Sequence, residues 1–426
     1  MSDELFDDLD RQAPGAPDAG PARYDTANRT QVELTPTDLE GLLPPGHAAR
    51  LVWRFVEGLD LGAFYAQIKA REGGPGRTPI DPKILVALWL YATIDGVGSA
   101  REVDRLCYAH DAYRWIRGGV SVNHHTLSDF RVAHQVALDD LLTQSIAALL
   151  DRHVVTLHRL AQDGTKVRAN AGVRSFRRGE RLRDCLTMAR QQVARAQLQA
   201  DGAIPAREAA ATQRAADERL ARVEEALAQL PAVEAVKRRN KSKAVPKVST
   251  TDPDARVMKM SDGGFRPAYN VQFTTDVDGL AIVGVDVTNV GSDHAALAPM
   301  LAQVRRRTGR APDEVLVDGG YVNTANIDAT AAEGITFYAP VPTGAHGPAT
   351  GSAVQAWRTR MASDAAKAIY KTRAATAERT NADARTHRTL ARIPVRGLPK
   401  IHTWVLWIAL AHNVMRTMAI IPHLMT

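Results

Sequence analysis

Short β-branched runs alternate with helical segments through the second half of the chain, and this order constrains the fold more than any other feature. Helical segments separate the later strands, from Asp293 to about Arg307 and over residues 323–333, and the chain is helical again from about Ser363. Strands that alternate with helices in this way predict a mixed α/β sheet with flanking helices. The strand signals lie at Pro267–Thr275, Gly279–Asn289, Glu314–Asp318 and Thr336–Pro340.

An arginine-rich helical segment interrupts the predicted sheet. Strand signals at Val154–Gln162, ending at Asp163-Gly164, and at Lys166–Ala169 precede the interruption. Apolar residues at helical spacing between 220 and 230 then indicate a helical hairpin over about 176–232. We therefore expect a catalytic or binding domain over 153–426, with a helical insertion and a basic linker at 176–250.

The linker carries a run of basic residues without an intervening acid. Such a run is either a solvated linker or a segment that follows a phosphate backbone. Its members are Lys237, Arg238, Arg239, Lys241, Lys243 and Lys247.

The first part of the chain differs from the rest in its composition and sequence pattern. Residues 1–33 mix acids with Ala, Pro and Gly, and we expect a disordered acidic tail. Residues 34–152 predict an all-α domain of several short helices. One is predicted over Pro82–Ile94, with Asp81 as its cap, Pro82 in its first turn and Asp95-Gly96 at its end, and another over residues 111–117. Short helices with tight turns fit either a helix-turn-helix DNA-binding unit or another small helical bundle. Arg131 lies in the region expected to contact phosphates.

Charge is unevenly distributed along the 426 residues. The net charge is +7, but residues 1–40 hold ten acids and three bases, so the remainder carries +14. A basic body indicates a polyanionic partner. Only two cysteines are present, which excludes a disulfide framework or a cysteine-rich zinc site. Neither a signal peptide nor a membrane-spanning apolar run is visible, so we expect a cytoplasmic protein.

Two acids follow predicted strands in the same setting. Asp163 and Asp318 each precede glycine where a strand is expected to end, and ligands gather beyond the carboxyl ends of such strands. Glu378, on a later helix, is the third candidate. Three carboxylates without a cysteine or histidine cluster suit Mg²⁺ or Mn²⁺. Asp-Gly is equally ordinary turn chemistry, and we expect Asp293 to cap a helix.

The chain resembles the DDE transposases of bacterial insertion sequences, over roughly residues 45–416. The region that ends at Leu127–Arg131 is similar to the N-terminal domain of the InsH-like members. The segments that carry the resemblance are Gln162–Val167, Thr251–Arg256, Arg266–Gln272, Val317–Tyr321 and Leu410–Asn413.

The resemblance implies an RNase-H-like fold with Asp163, Asp318 and Glu378 as catalytic metal ligands, which would hold two ions. Members of the family carry a Tyr-Arg-Glu-Lys signature with gaps of two, three and six residues. Here Tyr370 and Arg373 keep the first gap, but four residues separate Arg373 from Glu378. On an α-helix one extra residue rotates a side chain by about 100°. Either a local bulge restores the alignment, or Tyr370 and Arg373 serve elsewhere.

These features together predict a transposase that cuts the ends of an insertion sequence and joins them to target DNA. Its partners would be double-stranded DNA and a second copy of the chain, in the bacterial cytoplasm at the nucleoid. The alternatives are a non-catalytic DNA-binding relative and an RNase-H-like nuclease without strand transfer. The residues expected to contact DNA are Tyr370, Arg373, Arg385, Lys237, Arg238, Arg239, Lys241, Lys243 and Arg131.

Overall fold

Helices account for most of the chain in the computed structural model. The structure describes residues 38–70, 78–200, 205–342 and 351–420, together with residues 27, 30 and 32. The acidic tail predicted at 1–33 lies almost wholly outside the described residues. The chain divides into the segment Met1–Asp38 and one compact unit, Leu39–Thr426. All elements described below belong to the compact unit.

The N-terminal region is entirely helical, as expected. Asp81 caps α3 by accepting a hydrogen bond from the Lys83 amide at 2.8 Å, and Pro82 occupies the first helical position. The Ser99 hydroxyl accepts from the Glu102 amide and caps α4 in the same way. The helices are α1 Ala48–Glu57, α2 Gly62–Tyr65, α3 Pro82–Ile94, α4 Ala100–Ala109, α5 Asp111–Arg117, α6 His124–Ala133 and α7 Gln135–Asp151.

A six-stranded mixed sheet forms the second part of the unit. The strands run in the order β4-β5-β1-β7-β8, and β6 also pairs with β5. β1 is antiparallel to β5 and parallel to β7, and β7 is parallel to β8. The strands are β1 Arg159–Arg168, β4 Arg256–Lys259, β5 Phe265–Asp276, β6 Ile282–Thr288, β7 Glu314–Leu316 and β8 Thr336–Tyr338.

Two long helices interrupt the sheet between β1 and β4. A two-stranded ribbon of β2 (Phe176–Arg177) and β3 (Val248–Ser249) closes the base of this insertion. The helices α8 (Gly179–Ala200) and α9 (Ala206–Arg239) lie between the two ribbon strands. The helix α9 continues to Arg239, so the first three residues of the predicted basic linker belong to its last turn.

The remaining helices cover the sheet. One π-helical turn, Ala374–Glu378, joins α13 to α14. The helices are α10 Leu297–Thr308, α11 Thr324–Ala332, α12 Ser352–Ala362, α13 Asp364–Arg373, α14 Arg379–Thr386 and α15 Leu398–Ile420. The mixed sheet, its flanking helices and the helical N-terminal region confirm the predicted fold class.

Helix α15 joins the N-terminal helices to the sheet. It packs against α3, α6, α7 and β6, and residues from all of these share one hydrophobic core. Trp404 and Trp407 are fully buried in that core. The Trp407 indole donates a hydrogen bond to the Arg131 carbonyl at 3.0 Å. The predicted domain boundary at residue 152 stays a prediction, since the helices on one side of it pack against elements on the other.

Candidate active site

The parallel register of β1 and β7 brings Asp163 and Asp318 side by side. Ala161 is the partner of Leu316 across the two strands, and each acid lies two residues further along. We expected β1 to end at Asp163, but the strand continues to Arg168. β7, by contrast, ends before Asp318, whose Oδ1 accepts a hydrogen bond from the Gly320 amide at 2.8 Å. The predicted end of the strand at Asp163-Gly164 is therefore wrong, because pairing with β5 holds this segment extended.

Gly164 is required by packing and not by a turn. A Cβ at this position would overlap the side chains of Gln272 and Asp293. The strand therefore keeps glycine beside Asp163 so that polar groups of neighbouring elements can approach its backbone.

The π-helical turn accounts for the unusual spacing between Arg373 and Glu378. In a π-helix the backbone hydrogen bond joins residues i and i+5, whereas in an α-helix it joins i and i+4. A residue five positions after Arg373 can therefore stand over it, as a residue four positions later does on an α-helix. Arg373 Nη1 lies 3.3 Å from Glu378 Oε1. The bulge proposed from the sequence is present at the inserted residue.

Arg373 connects Glu378 to the pair of aspartates. Its Nη2 lies 3.0 Å from Asp163 Oδ1, and only 10% of its side chain is exposed. The Asn381 amide donates to Asp163 Oδ2, and the Gly164 amide donates to Asp163 Oδ1, both at 3.0 Å. Two acids on different elements thus share one buried guanidinium.

Burial has the largest effect on the pKa values of Asp163 and Arg373. Burial, together with the nearby Asp318 carboxylate, raises the pKa of Asp163 to about 6 against the lowering effect of Arg373. Burial alone would lower the pKa of Arg373, but Asp163 and the other acids around it raise that pKa. The carboxylates are close enough to interact unfavourably, and Arg373 supplies the compensating charge.

A second cluster of polar side chains lies next to Asp163 and Asp318, and the sequence did not predict it. We expected Asp293 to cap a helix, but α10 begins at Leu297. Asp293 Oδ1 instead accepts hydrogen bonds from Asn270 Nδ2 at 2.7 Å and Gln272 Nε2 at 2.6 Å. Gln272 Oε1 in turn accepts from the buried Tyr321 hydroxyl. The available signal was the alternation of Asn270 and Gln272 with the apolar residues around them on β5, because residues two apart share one face.

Tyr370 and Arg385, which we also expect to contact DNA, lie before and after the π-helical turn. Tyr370 is half-buried, and burial raises its pKa while Arg373 opposes that effect. Arg385 is exposed, and its Nη1 lies 3.4 Å from Thr165 Oγ1. Asp383, the other acid on this part of the chain, contacts Arg388 and His412 at 3.3 Å. Asp383 is therefore occupied by a separate ion-pair network.

Arg131 is not available where we expected a phosphate contact. It is 6% exposed, and its guanidinium lies 5.0 Å from the Trp89 ring centre and 5.4 Å from that of Trp404. Its Nη1 donates to the Gly98 carbonyl at 2.6 Å. The structure thus corrects this prediction: Arg131 is a packing element between two indole rings.

The basic run near the end of α9 is largely exposed. Lys237 is the exception, since its Nζ lies 3.3 Å from the Ala244 carbonyl and 3.4 Å from that of Val245. Lys237 and Arg239 line a cavity of about 1070 Å³ between α9 and β4. The exposed members are Arg238, Arg239, Lys241, Lys243 and Lys247.

Asp163, Asp318 and Glu378 offer the oxygen ligands that a hard divalent cation binds, but their three carboxylates do not surround one point. Asp163 and Asp318 offer carboxylate oxygens side by side, and the Arg373 guanidinium already holds a positive charge between Asp163 and Glu378. Across the described ranges, no group of three or more His, Cys, Asp or Glu is arranged to hold a metal ion. Carboxylate oxygens are nevertheless the ligands that Mg²⁺ and Mn²⁺ prefer.

Two family models match the chain. The model described as "Transposase domain (DUF772)" matches residues 37–133, which include α1 to α6. The model described as "Transposase DDE domain" matches residues 210–414. The chain belongs to the DDE transposases. The match to the DDE domain includes Asp318, Arg373 and Glu378 of this transposase and begins after Asp163.

The other comparisons add no relative. No curated protein and no solved structure matches this transposase. Within the described residues, no helix is long and apolar enough to cross a membrane.

Proposed function

We propose that this transposase cuts DNA at the ends of its element and joins the freed 3′ ends to target DNA. Cutting is a phosphodiester hydrolysis, and joining is a transesterification in which the freed 3′ hydroxyl displaces another 3′ oxygen. The observation that carries the proposal is the register of β1 and β7, which sets Asp163 beside Asp318. Glu378 is the third acid, since Arg373 already links it to Asp163.

We assign Asp163, Asp318 and Glu378 as the ligands of Mg²⁺ or Mn²⁺. When bound, two such ions would activate the attacking oxygen and stabilise the leaving oxygen. Gathering the third carboxylate requires Arg373 to withdraw from between Asp163 and Glu378. Glu378 can follow, because 61% of its side chain is exposed and Arg373 is its one ion-pair partner among the described residues.

The surrounding residues keep the aspartates in place. Asn381 and the Gly164 amide each hold one Asp163 oxygen, which fixes the plane of that carboxylate. Asp318 is held by the Gly320 amide, and Tyr321 is tied to the cluster of Gln272 and Asp293 behind it. Positioning of this kind reduces the reorganisation that the reacting groups need.

Exposed cations would bind the DNA around this site. Arg373, once released by the acids, and Arg385 can grip phosphates, and Tyr370 can donate to one. Arg238, Arg239, Lys241 and Lys243 would add salt-dependent affinity that does not depend on sequence. Pairing two DNA ends would require two copies of the chain. The substrate would place the enzyme at the bacterial nucleoid.

A strand-transfer assay tests the proposal. The substrate is a labelled duplex that carries the DNA flanking the coding sequence, with a supercoiled plasmid as target and Mg²⁺ as the metal. We expect cut ends and joined products from the wild type. Asp163→Asn should reduce both by at least about a thousandfold, which is roughly 4 kcal/mol of transition-state stabilisation.

Asp328→Asn is the matched control, because Asp328 is exposed on α11 and away from the strands that carry the site. Equal rates for Asp163→Asn and the wild type would refute the assignment of Asp163. Cutting without joining would favour the nuclease alternative. DNA binding without either reaction would favour the non-catalytic relative.

A further inference from the structure

A large basic cavity lies away from the carboxylates, between the N-terminal helices and the sheet. Its volume is about 1290 Å³. The first turns of α4 and α6, the end of β1 and the segment that follows α14 surround it. Of the described residues, three histidines and five arginines line it, and no Asp or Glu does. The arginines are Arg101, Arg131, Arg168, Arg392 and Arg396.

Most of this charge is free to meet a ligand. Arg101, Arg168, Arg392 and Arg396 are exposed. Among the described residues, none of these four forms an ion pair. Arg396 Nε donates to the Asn170 carbonyl, which orients it without neutralising it. At the cavity wall, the buried hydroxyl of Thr389 has no hydrogen-bond partner among the described residues.

Two helices also present their N-terminal ends to the cavity. Ser99 caps α4 and Asn123 caps α6, and both helices are ten residues long. The backbone dipoles of a helix place partial positive charge at its N-terminus, where anions bind. Two acids offset part of this field: Asp104 Oδ2 accepts a hydrogen bond from the His124 amide at the start of α6, at 3.0 Å, and Glu102 lies in the first turn of α4. The positive charge of the cavity therefore comes mainly from its exposed arginines.

β1 and α14 connect the neighbourhood of Asp163 to the cavity. Asn381 contacts Asp163 at 3.0 Å, and Arg385, four residues later, contacts Thr165 at 3.4 Å. Further along the two elements, Arg168 and Thr386 line the cavity. Five residues of strand separate Asp163 from Arg168, which is roughly 17 Å at 3.4 Å per residue.

We propose that the cavity binds backbone phosphates of the DNA strand that passes through the cutting site, roughly five nucleotides from the cut. The spacing follows because DNA advances about 3.4 Å per nucleotide of one strand. The position relative to the cut rests on the proposed function. The presence of a phosphate site in the cavity rests on its own residues.

Anisotropy titrations of labelled duplex DNA in EDTA test the site without any cutting. The variant is Arg168→Gln with Arg392→Gln, and the control is Arg54→Gln with Arg306→Gln, which removes the same charge from exposed positions on α1 and α10. Loss of two phosphate contacts should reduce the slope of log affinity against log salt by about 2 and weaken binding roughly 10- to 100-fold near 0.1 M salt. The control pair should change either quantity much less.

Ethylation interference on the same complexes locates the contact. Ethylation of phosphates roughly five nucleotides from the cut should weaken the wild type and leave the cavity variant unaffected. Wild-type affinity and slope in the cavity variant, equal losses in both pairs, or no DNA binding by the wild type would each overturn the proposal. A wild-type cutting rate for Asp163→Asn would instead refute the proposed function and leave the phosphate site standing.

Discussion

Two arginines of this transposase are almost equally buried but have opposite kinds of neighbours. Arg131 is 6% exposed and Arg373 is 8% exposed. Arg131, among the N-terminal helices, lies against the Trp89 and Trp404 rings and pairs with no acid in the part of the chain that the structure describes, and burial lowers its pKa to about 10. Arg373, at the sheet, pairs with Asp163 and Glu378, and the acids raise its pKa against burial.

The two arginines therefore have different roles. Arg131 fills space between aromatic rings, whereas Arg373 supplies a positive charge that another cation could replace. Aromatic rings attract a guanidinium only while it is stacked on them, so Arg131 belongs to its surroundings. Carboxylates attract any cation, and the acids around Arg373 would bind a divalent ion in its place. The packing around Arg131 therefore depends on the shape of arginine, and the site around Arg373 depends on its charge.

Replacing Arg131 should have the largest effect on stability. We expect Arg131→Ala to lower the free energy of unfolding by about 3 kcal/mol, because it leaves a cavity between two indoles and an unpaired Gly98 carbonyl. Urea unfolding measures the loss. Arg101→Ala, at an exposed position of α4, should change the value by less than about 0.5 kcal/mol. Equal losses in the two variants would remove the packing role.

Asp383 tests an intermediate case, in which an acid beside a buried arginine has a structural role. Burial would raise its pKa, but His412 and Arg388 lower it to about 2. A depressed pKa adds stability above the unfolded value near 3.8, and that stability is lost as pH falls through about 2.

We therefore expect Asp383→Asn to be less stable than the wild type by about 2 kcal/mol at pH 7. Unfolding at several pH values should show the difference shrinking between about pH 4 and pH 2. At temperatures where both variants are folded, Asp383→Asn should cut DNA at the wild-type rate, whereas Glu378→Gln should not. Loss of cutting in Asp383→Asn with a stable fold would reverse the two roles.

Arg373→Gln should have the smallest effect on stability and the clearest dependence on metal. In EDTA we expect a loss of about 1 kcal/mol, because Asp163 keeps its bonds to Asn381 and the Gly164 amide. Saturating Mn²⁺ should restore this loss by replacing the missing positive charge, as seen in thermal unfolding. The loss in Arg131→Ala should persist with Mn²⁺. A loss in Arg373→Gln that Mn²⁺ does not restore would make the two arginines equivalent.

Local signals predicted the N-terminal helices closely. The helix predicted over Pro82–Ile94 has those bounds, because its capping aspartate, its proline and its terminating Asp95-Gly96 all lie within the segment. The helix predicted over residues 111–117 is also present with those bounds, as α5. Boundaries of this kind depend on neighbours in sequence and so can be found without the fold.

Contacts between distant segments explain what could not be predicted. Asp163-Gly164 has turn chemistry, yet β5 holds it extended and Gln272 leaves no room beside it for a side chain. Arg131 has the composition of a surface cation, yet Trp404 arrives from 273 residues further along the chain to cover it. Asp293 was likewise assigned to the next helix, whereas its hydrogen-bond partners lie on β5. No local pattern contains these partners.

Direct measurement of Mn²⁺ binding tests the central claim, that Asp163 and Asp318 form one metal-dependent site. Titrations followed by electron paramagnetic resonance would compare the wild type with Asp163→Asn, Asp318→Asn and the control Asp328→Asn, all without DNA. We predict that each site variant binds Mn²⁺ at least about tenfold more weakly, while the control is unchanged. Binding of Mn²⁺ to Asp163→Asn and Asp318→Asn with wild-type affinity and stoichiometry would contradict the account.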